Sequence, residues 1–457
     1  MASIRQALTD AARGGARYIR GADAGVSLAQ AGQATALQSP AARLVDRTVL
    51  VATRDQLAAV LALIDLDGVA RRLILCAPDV VPDRLGEIAG HAGADAIVSD
   101  TELRGPGVDG LVHVRCGTAW TAAVSPPPPP HRETEWVLLT SGTAGAAKMV
   151  RHTFATLTGS SGSAVPAASR PVVVWGTFYD VRRYGGLQVV LRAIVGGGSL
   201  VLGGPDDTLS SYMRRLAALG ATHVSGTPTH WRRVLMSPHA GAIAPDYIRL
   251  SGEIADQAVL DALRTRYPRA RIAHAFASTE AGVGFEVDDG LAGFAADVVG
   301  ADGPVAIRVQ EGSLRLRSAR TALGYLHDGD GPLADRDGFV DTGDAVERRG
   351  NRYYFLGRRS GVINVGGLKV HPEEVEAAIN RHPLVRMAKV AARRSPITGS
   401  LVSADVVLDP GADADGLRQE ILTMCRDTLP AHKVPALVRV VPSLDLAATG
   451  KLARRAR

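Results

Sequence analysis

Short apolar segments alternate with amphipathic ones along most of the chain, and this alternation restricts the possible folds. Residues 48–53 (TVLVAT), 72–77 (RLILCA) and 95–100 (DAIVSD) are typical of buried strands, and residues 54–66 have helical spacing. Repeated β/α order favours a mostly parallel sheet with helices on its faces. The chain has 457 residues, which is long for a single core, so two or more domains are expected.

The pattern changes towards the C-terminus. Around residues 311–316 and 351–355, apolar and polar residues alternate between glycine-bearing turns, which indicates a smaller antiparallel sheet. After residue 357, helical and strand-like segments suggest a compact α+β unit of ordinary domain size. We therefore expect an α/β fold with a large N-terminal domain of helix-covered, mostly parallel sheets and a small β subdomain (1–357), followed by a small α+β C-terminal domain (358–457).

Composition indicates a globular protein without membrane segments. The chain is 46% hydrophobic and 21% charged, and its three cysteines lack the C-x-x-C spacing of zinc or redox sites. The N-terminus has no apolar core of a signal peptide, and the apolar runs are too short to cross a bilayer. We therefore expect a cytoplasmic protein with no membrane partner. The net charge is +6, but the arginines are dispersed, so a solvated basic tail is expected and no nucleic-acid partner.

Residues 138–153, LLTSGTAGAAKMVRHT, have the composition of a phosphate-binding loop. Thr, Ser and Gly let backbone N–H groups and hydroxyls approach an anion, and Lys148 adds a positive charge. The P-loop pattern G-x-x-x-x-G-K-[ST] does not fit, because Ala147 and Met149 occupy positions that need Gly and a hydroxyl residue. For an isolated loop of this kind, a polar turn is the simpler interpretation.

Further short motifs follow this loop in a defined order. They are residues 276–280 (FASTE), 341–344 (DTGD), 357–358 (GR), 366–370 (GGLKV) and 449–451 (TGK). In this order the set resembles the adenylate-forming superfamily of acyl-CoA synthetases, adenylation domains and luciferases. The resemblance extends from Trp136 to Leu452. Each motif alone is weak evidence, whereas the ordered set is specific.

The resemblance implies ATP-dependent adenylation of a small organic acid, at a site between the large domain and a mobile C-terminal domain that carries the catalytic lysine. A carboxylate is a poor electrophile, and its acyl-AMP has a good leaving group. Because two anions meet and charge develops on the departing pyrophosphate, the site needs cations and N–H donors. The implied cofactors are ATP and Mg²⁺. The implied acceptor is CoA or the phosphopantetheine of an acyl carrier protein.

The resemblance also assigns roles to residues. The expected catalytic residues are Lys451, which neutralises oxygens where the acid meets the phosphate, Thr279, which hydrogen-bonds the α-phosphate, and Glu280. The carboxylate of Glu280 would hold Mg²⁺, a hard cation that prefers oxygen ligands. Asp344 would accept both ribose hydroxyls, and Arg358 would brace the ribose. The other expected nucleotide contacts are Thr140, Ser141, Gly142, Thr143 and Lys148 at the β- and γ-phosphates, and Gly252, Glu253 and Phe276 beside adenine.

The acid pocket is inferred from position within the same pattern. Its expected lining residues are Tyr179, Tyr184, Gly226, His274, Ala275 and Ser278. The two tyrosines suit an aryl or cinnamoyl-type acid, because each combines an aromatic face with a polar tip. Gly366 and Gly367 are expected in the thiol channel, since glycine lets a narrow thiol arm pass close to the backbone. Arg182 and Arg183 are expected to form a solvated surface pair, and pairing with a further anionic group is the less favoured alternative.

Some positions depart from the family pattern. Phe276 stands where Tyr is usual, Ser360 occupies the hinge position where Asp or Lys is usual, and the N-terminal domain is short. Two alternatives therefore stay open. One is adenylation of another oxyanion, such as nitrite for diazotisation of an aryl amine, and the other is a non-catalytic AMP-binding relative. The presence of Lys451, Glu280 and Asp344 argues against the non-catalytic alternative.

Overall fold

The structure is a computed structural model, and it describes most of the chain. The described residues are 3–12, 16–80, 82–122, 132–140, 148–159, 172–327, 329, 331–395, 399–447 and 449–453. Three predicted nucleotide-binding residues, Ser141, Gly142 and Thr143, lie outside them.

The described residues form eleven α-helices and twenty-six strands. The helices α1–α11 are Ile4–Ala12, Leu28–Gln33, Gln56–Leu66, Pro82–Ala92, Phe154–Thr158, Tyr184–Gly196, Leu209–Ala218, Pro228–Met236, Gln257–Arg266, Pro372–Ile379 and Ala414–Thr428. The strands β1–β26 are Tyr18–Arg20, Gly25–Ser27, Ala34–Leu37, Thr48–Val51, Arg72–Leu75, Ala96–Ser99, Val112–Ala122, Glu135–Thr140, Lys148–His152, Val174–Thr177, Ser199–Val201, His223–Gly226, Tyr247–Ser251, Arg271–Ser278, Gly282–Val287, Phe294–Ala295, Val305–Gln310, Ser313–Ser318, Gly324–Tyr325, Val340–Arg349, Arg352–Arg358, Ile363–Val365, Leu368–Val370, Val385–Ser395, Gly399–Leu408 and Leu437–Val440.

Two large sheets dominate the described N-terminal part. The first has the strand order β15-β14-β13-β12-β10-β11-β1-β2 and is parallel from β14 to β1, with an antiparallel strand at each edge. The second has the order β19-β9-β8-β5-β4-β6-β7-β3 and is parallel from β8 to β7. Helices α3 and α6 share one hydrophobic core with residues of both sheets. The predicted helix-covered, mostly parallel sheets are therefore confirmed.

Helix α3 shows how the interior accommodates a charge. Asp55 caps its N-terminus, and the residues from Leu57 to Leu66 are all buried. Among them is Asp65, whose carboxylate pairs with Arg5 at 2.6 Å and accepts a hydrogen bond from Ala36 N at 2.9 Å. A buried carboxylate is tolerated when it is paired and hydrogen-bonded in this way. This arrangement lets α3 lie fully inside the core.

The smaller sheets complete the fold. An antiparallel sheet with the order β16-β21-β20-β18-β17 forms the predicted β subdomain, and the C-terminal part contains the hairpin β22-β23, the sheet β24-β25-β26 and helices α10 and α11. The predicted fold class is thus confirmed, while the domain boundary after residue 357 stays a prediction. The longest helix in the described part of the chain, Ala414–Thr428, has 15 residues, and none there has the length and hydropathy of a bilayer-spanning segment.

Candidate active site

Several predicted site residues lie at the carboxyl ends of neighbouring strands. Gly226 ends β12, Gly252 follows β13 and Thr279 follows β14, all in the parallel part of the first sheet. Open α/β sheets bind ligands at this edge. In the second sheet, Thr140 ends β8 and Lys148 begins β9, and the two residues are direct partners in the antiparallel ladder. The strand ends on both sides of the predicted phosphate loop are therefore paired with each other.

Lys451 lies in a short C-terminal loop, which we call the lysine loop and whose described residues are 446, 447 and 449–452. Leu446 and Leu452 close the loop through an antiparallel β-bridge. The side chain of Lys451 passes over the turn after β13, because its Cε lies 3.4 Å from the position that a Cβ would have on Gly252. A residue near the end of the chain thus reaches the carboxyl edge of the first sheet.

Two carboxylates influence the charge of Lys451. Burial lowers the pKa of the Lys451 ammonium, and the negative charges of Glu253 and Asp344 raise it. Burial also raises the pKa of Asp344, against the nearby guanidinium of Arg358. Arg358 Nε lies 3.3 Å from Asp344 Oδ1, and the two residues are partners across β20 and β21. The structure thus brings together four predicted site residues that are far apart in the sequence.

Glu253 connects helix α8 with the lysine loop. Its Oε2 accepts a hydrogen bond from Thr229 N at 3.0 Å, and its Oε1 accepts one from Leu452 N at 3.3 Å. Thr229 lies in the first turn of α8, where unpaired N–H groups and the helix dipole favour a negative charge. A place for Glu253 beside adenine stays a prediction from the resemblance, and the structure shows a direct contact with the loop that carries Lys451.

Gly450 packs against the imidazole of His230. A Cβ on Gly450 would lie 2.0 Å from His230 Nε2, and the backbone of Gly450 has φ 71°, a conformation that favours glycine. The ring of His230 is held in place, because its Nδ1 accepts a hydrogen bond from Thr227 N at 3.1 Å and it stacks on Phe178. Thr227 Oγ1 also donates to the carbonyl of Gly450 at 3.3 Å. The docked lysine loop therefore requires glycine at position 450.

The turn between β14 and β15 carries Thr279 and Glu280 and is anchored to the second sheet. His152, at the end of β9, lies 2.7 Å through Nε2 from the carbonyl oxygen of Thr279. A carbonyl oxygen can only accept a hydrogen bond, so His152 Nε2 carries the proton and donates it to Thr279. Burial lowers the pKa of His152 to about 4, which keeps the ring neutral near pH 7. His152 was not among the predicted site residues, although it stands four positions after Lys148.

The carboxylate of Glu280 fits the role of a Mg²⁺ ligand. The side chain is half-buried, and it has no hydrogen bond or ion pair with other residues in the described ranges. Its backbone is fixed, since the carbonyl of Glu280 accepts a hydrogen bond from Ala322 N at 2.9 Å. Proteins commonly bind Mg²⁺ through one or two carboxylates together with substrate phosphates. A carboxylate oxygen without a described protein partner suits that chemistry.

The predicted pocket tyrosines are both buried. Tyr179 donates its hydroxyl hydrogen bond to the carbonyl of Ser251 at 2.7 Å, so it supports the turn that leads into Gly252. Tyr184 begins α6, and burial raises the pKa of its hydroxyl well above the usual range. At Gly226, a Cβ would lie only 2.9 Å from the ring of Phe178. Close packing against Phe178 therefore favours glycine at this position, independently of any role in the acid pocket.

The predicted residues on β14 divide between the two faces of the strand. Ala273 belongs to the core shared with α6, and alternation places Ala275 on the same face. His274 and Ser278 lie on the opposite face. His274 Nε2 is 3.0 Å from the carbonyl of Leu291, and Ser278 Oγ accepts a hydrogen bond from Ala281 N. Alternation therefore puts Ala275 on the face of β14 that joins the shared core, and His274 on the other face.

Phe276, on the same face of β14 as His274, lies in an aromatic cluster. Its ring is nearly parallel to that of Phe355, with centroids 5.4 Å apart and an interplanar angle of 6°, and it also stacks on Phe285. These side chains belong to the core next to the five-stranded sheet. The cluster accommodates a ring without a hydroxyl, and the contact with adenine stays a prediction.

Gly366 and Gly367 form the turn of the β22–β23 hairpin. Their φ angles are 57° and 88°, and both residues are exposed. A two-residue hairpin turn with positive φ at both positions strongly favours glycine, and Gly367 N also donates to Asn364 Oδ1 at 2.8 Å. This turn geometry is sufficient to explain both glycines, and their role in a thiol channel stays a prediction.

The prediction that Arg182 and Arg183 form a solvated surface pair is wrong for Arg182. This residue is only 2% exposed, because its guanidinium pairs with Asp180 at 2.6 Å and also donates to the carbonyl of Thr53, just after β4. A buried guanidinium is stable only with such fixed partners. Arg183 is paired with Asp79 at 2.6 Å. Arg182 therefore joins the segment before α6 to the second sheet.

Comparison with known proteins identifies the family. The chain matches the AMP-binding enzyme family over residues 47–326 and the AMP-binding enzyme C-terminal domain over residues 374–451. The first match alone covers more than half of the chain, so the chain belongs to the AMP-binding enzyme family. This confirms the resemblance to the adenylate-forming superfamily that the motif order indicated.

Individual relatives share modest identity with the chain. The 2-succinylbenzoate–CoA ligase of Bacillus velezensis is 26% identical over 341 residues, which are 70% of this chain and 68% of that protein. Acetyl-coenzyme A synthetase 1 of Candida albicans is 31% identical over 135 residues, 29% of this chain. That alignment spans 18% of the length of the synthetase. The structure of an E. coli MenE variant with bound OSB-AMS has a TM-score of 0.76 at 20% identity, covering 97% of this chain and 96% of that one, which shows a shared fold.

Proposed function

We propose that this protein is an ATP-dependent, AMP-forming acid–thiol ligase. The observation that carries the proposal is the docking of Lys451 beside Gly252, where Glu253 and Asp344 provide nearby negative charge. A lysine that is brought across the chain to a ligand-binding sheet edge suits a reaction between two anions. The names of the relatives, a 2-succinylbenzoate–CoA ligase and an acetyl-coenzyme A synthetase, support an acid as substrate and CoA as acceptor.

In the first step, a carboxylate oxygen of the acid attacks the α-phosphorus of ATP, the bond from that phosphorus to the bridging oxygen breaks, and pyrophosphate leaves. Lys451 neutralises the oxygens that come together, and Thr279 donates a hydrogen bond to the α-phosphate. His152 keeps Thr279 in place through its carbonyl. Asp344 accepts the ribose hydroxyls, and its partner Arg358 limits its movement. Mg²⁺, when bound through Glu280, neutralises phosphate charge.

In the second step, the thiol of CoA or of a carrier-protein phosphopantetheine attacks the acyl carbon. The bond from that carbon to the AMP oxygen breaks, AMP leaves, and the thiol proton passes to solvent. We place the thiol path along the turn Gly366–Gly367, whose exposed backbone has no side chains to obstruct it. For the acid, we propose an aryl or cinnamoyl-type carboxylate. The small side chain of Ala275 and the aromatic ring of Tyr184, on elements that share one core, support a flat substrate between them.

The proposal is tested by measuring pyrophosphate and AMP release with a panel of carboxylic acids, with and without CoA. We expect acid-dependent pyrophosphate release and CoA-dependent thioester formation. If no acid promotes release but nitrite together with an aryl amine does, the acid–thiol ligase proposal is wrong. If AMP binds while no substrate turns over, the protein is a non-catalytic relative and the proposal is wrong as well.

A further inference from the structure

The ammonium of Lys148 lies over the aromatic ring of Tyr325. Lys148 Nζ is 4.4 Å from the ring centroid, within the distance at which the negative face of a ring attracts a cation. Lys148 begins β9 and Tyr325 ends β19, so the two residues belong to neighbouring strands of the second sheet. The resemblance assigns Lys148 to the β- and γ-phosphates of ATP and gives Tyr325 no role. The contact therefore adds a residue next to the predicted phosphate site.

The register of β9 and β19 explains why the two side chains meet. Tyr325 is the direct partner of Val150 in the antiparallel ladder, and Lys148 stands two positions before Val150 on β9. Residues two positions apart point to the same face of a strand, so Lys148 and Tyr325 are diagonal neighbours on one face of the sheet. Long and aromatic side chains reach each other across such a diagonal.

Main-chain hydrogen bonds hold the segment that carries Tyr325. Two bonds of 2.8 Å, one on each side of Tyr325, join residues 322–326 to β9. In the same segment, Ala322 N donates to the carbonyl of Glu280, the predicted Mg²⁺ ligand, at 2.9 Å. None of these bonds involves the side chain of Tyr325. A variant without the ring should therefore keep the segment attached to β9 and to Glu280.

The face of β9 that carries Lys148 also carries His152. Four positions separate these residues, and alternation puts both on one face. His152 Nε2 donates to the carbonyl of Thr279 at 2.7 Å, while residues 322–326 hold the carbonyl of Glu280. The groups predicted to contact the α-phosphate, Mg²⁺ and the outer phosphates are therefore attached to one pair of strands. In this pair, the ring of Tyr325 reaches the ammonium of Lys148.

A lysine cation gains from being held in place before its ligand arrives. The side chain is a flexible four-carbon stem, and confining it when a phosphate binds costs conformational entropy. A ring face contacts one side of an ammonium group, which has three N–H donors, so another side can turn to phosphate oxygens. Restricting the side chain beforehand lowers the entropy lost on binding and raises affinity.

We propose that Tyr325 is a positioning residue for ATP, whose ring holds the ammonium of Lys148 where the β- and γ-phosphates bind. This inference rests on the proposed function, because it takes ATP as the ligand of Lys148. Tyr325 acts through Lys148 and does not touch the substrate. Its effect is carried by the ring and not by the hydroxyl, since the ammonium lies over the ring. It concerns ATP affinity and not the binding of the acid or the thiol.

The test measures acid-dependent ATP–pyrophosphate exchange over a range of ATP concentrations. Tyr325→Leu should raise KM for ATP by about fivefold, with kcat and the KM for the acid changed by less than about twofold. Tyr325→Phe keeps the ring and should stay within about twofold of the wild type. In a Lys148→Met background, Tyr325→Leu should change KM for ATP no further. The same rise in that background, or an equal rise in Tyr325→Phe, would overturn the proposal.

A second measurement detects the contact without turnover. The chain has five lysines, Lys148, Lys369, Lys389, Lys433 and Lys451. Reductive methylation with ¹³C-formaldehyde therefore gives few NMR signals, and the signal of Lys148 is the one that Lys148→Arg removes. Because a ring shields nuclei above its face, we expect this signal upfield of the other four in the wild type and in Tyr325→Phe. It should lose the upfield shift in Tyr325→Leu. A Lys148 signal without this shift in the wild type would contradict the positioning role.

Controls separate the positioning role from the ligase function. Tyr354→Leu is the matched control, because the ring of Tyr354 lies 5.5 Å from the guanidinium of Arg349 at the turn end of the β20–β21 hairpin. It should leave KM for ATP unchanged. If acids support exchange but Tyr325→Leu leaves KM for ATP unchanged, the positioning role is wrong and the ligase function stands.

If no acid supports exchange, calorimetric binding of ATP to the same variants decides. Weaker binding in Tyr325→Leu, retained affinity in Tyr325→Phe and no further loss in the Lys148→Met background support the positioning role while the ligase function fails. Equal binding in the wild type and Tyr325→Leu, or no binding of ATP to the wild type, overturns both.

Discussion

Glu253 Oε1 accepts a hydrogen bond from the backbone N–H of Leu452 at 3.3 Å, so the residue after the β13 turn holds the loop that carries Lys451. The other oxygen of the carboxylate is held by Thr229 N at the start of α8. Glu253 is therefore a positioning residue, because it fixes the lysine through the neighbouring backbone. This arrangement is specific to the docked loop and should matter most for the step that uses Lys451.

Replacing Glu253 by Gln should impair adenylation selectively. The amide offers one acceptor oxygen to two N–H groups and removes a negative charge beside Lys451. We expect acid-dependent pyrophosphate exchange to fall by about tenfold, while thioester formation from a chemically prepared acyl-AMP stays within about twofold. Glu102→Gln, at an exposed surface pair, serves as the control and should change neither rate. Equal loss in both half-reactions would contradict the positioning role.

Replacing Gly450 by Ala should prevent the lysine loop from docking. The new methyl group would collide with His230, and we expect pyrophosphate exchange to fall by at least about tenfold. Gly411→Ala is the matched control, because Gly411 also has positive φ but no atom within 4 Å of its Cβ position. Gly411→Ala therefore measures the cost of positive φ alone, about 1 kcal/mol, without a steric collision. The double variant Gly450→Ala/His230→Ala should regain part of the activity, and no recovery would argue against the steric explanation.

Replacing Lys451 by Ala should remove the charge that brings acid and phosphate together. We expect adenylation to fall by about 100-fold or more, with the Kd for ATP within about threefold of the wild-type value. Stopped-flow pyrophosphate release and equilibrium nucleotide binding measure the two quantities. Lys389→Ala, on β24, is the control. Adenylation at the wild-type rate in Lys451→Ala would remove the basis of the site assignment.

Acid should destabilise the fold through His152. Its pKa is about 4 in the folded protein and near 6.5 when unfolded, so below about pH 6.5 the unfolded chain binds the extra proton and stability falls as the pH is lowered. The contribution of His152 lost between about pH 7 and about pH 4.5 is roughly 2 kcal/mol. Urea unfolding should show that His152→Gln loses less stability over this interval than the wild type. The pKa of His230 is also lowered to about 4. Its pH-dependent contribution to the free energy of unfolding is the same in the wild type and in His152→Gln, so it cancels in the comparison.

The sequence was sufficient to predict the architecture. After their first residues, Thr48 and Arg72, β4 and β5 are apolar throughout because both faces of the parallel sheet are covered, and this pattern indicated the sheet correctly. The order of the motifs led to Lys451, Asp344 and Arg358, which the structure brings close together. In these cases local pattern and ordered motifs carried the necessary information.

The remaining contacts depend on tertiary packing. His152 gave no signal because its role is a hydrogen bond to a carbonyl 127 positions away. Arg182 was expected in solvent because its partner Thr53 follows a strand of the other large sheet. A single sequence without an alignment does not register such pairs.

The docked lysine loop is weakly attached. In the described part of the chain, two hydrogen bonds join it to the large domain, from Thr227 to Gly450 and from Leu452 to Glu253. The first contributes about 1 kcal/mol and the second, to a carboxylate, about 2 kcal/mol, so breaking both requires a few kcal/mol and no unfolding of either sheet. Asp344 and Arg358 are joined within the β20–β21 ladder and would stay together after release. Withdrawal of Lys451 during the proposed catalytic cycle would therefore leave the Asp344–Arg358 pair, the proposed ribose contact, assembled.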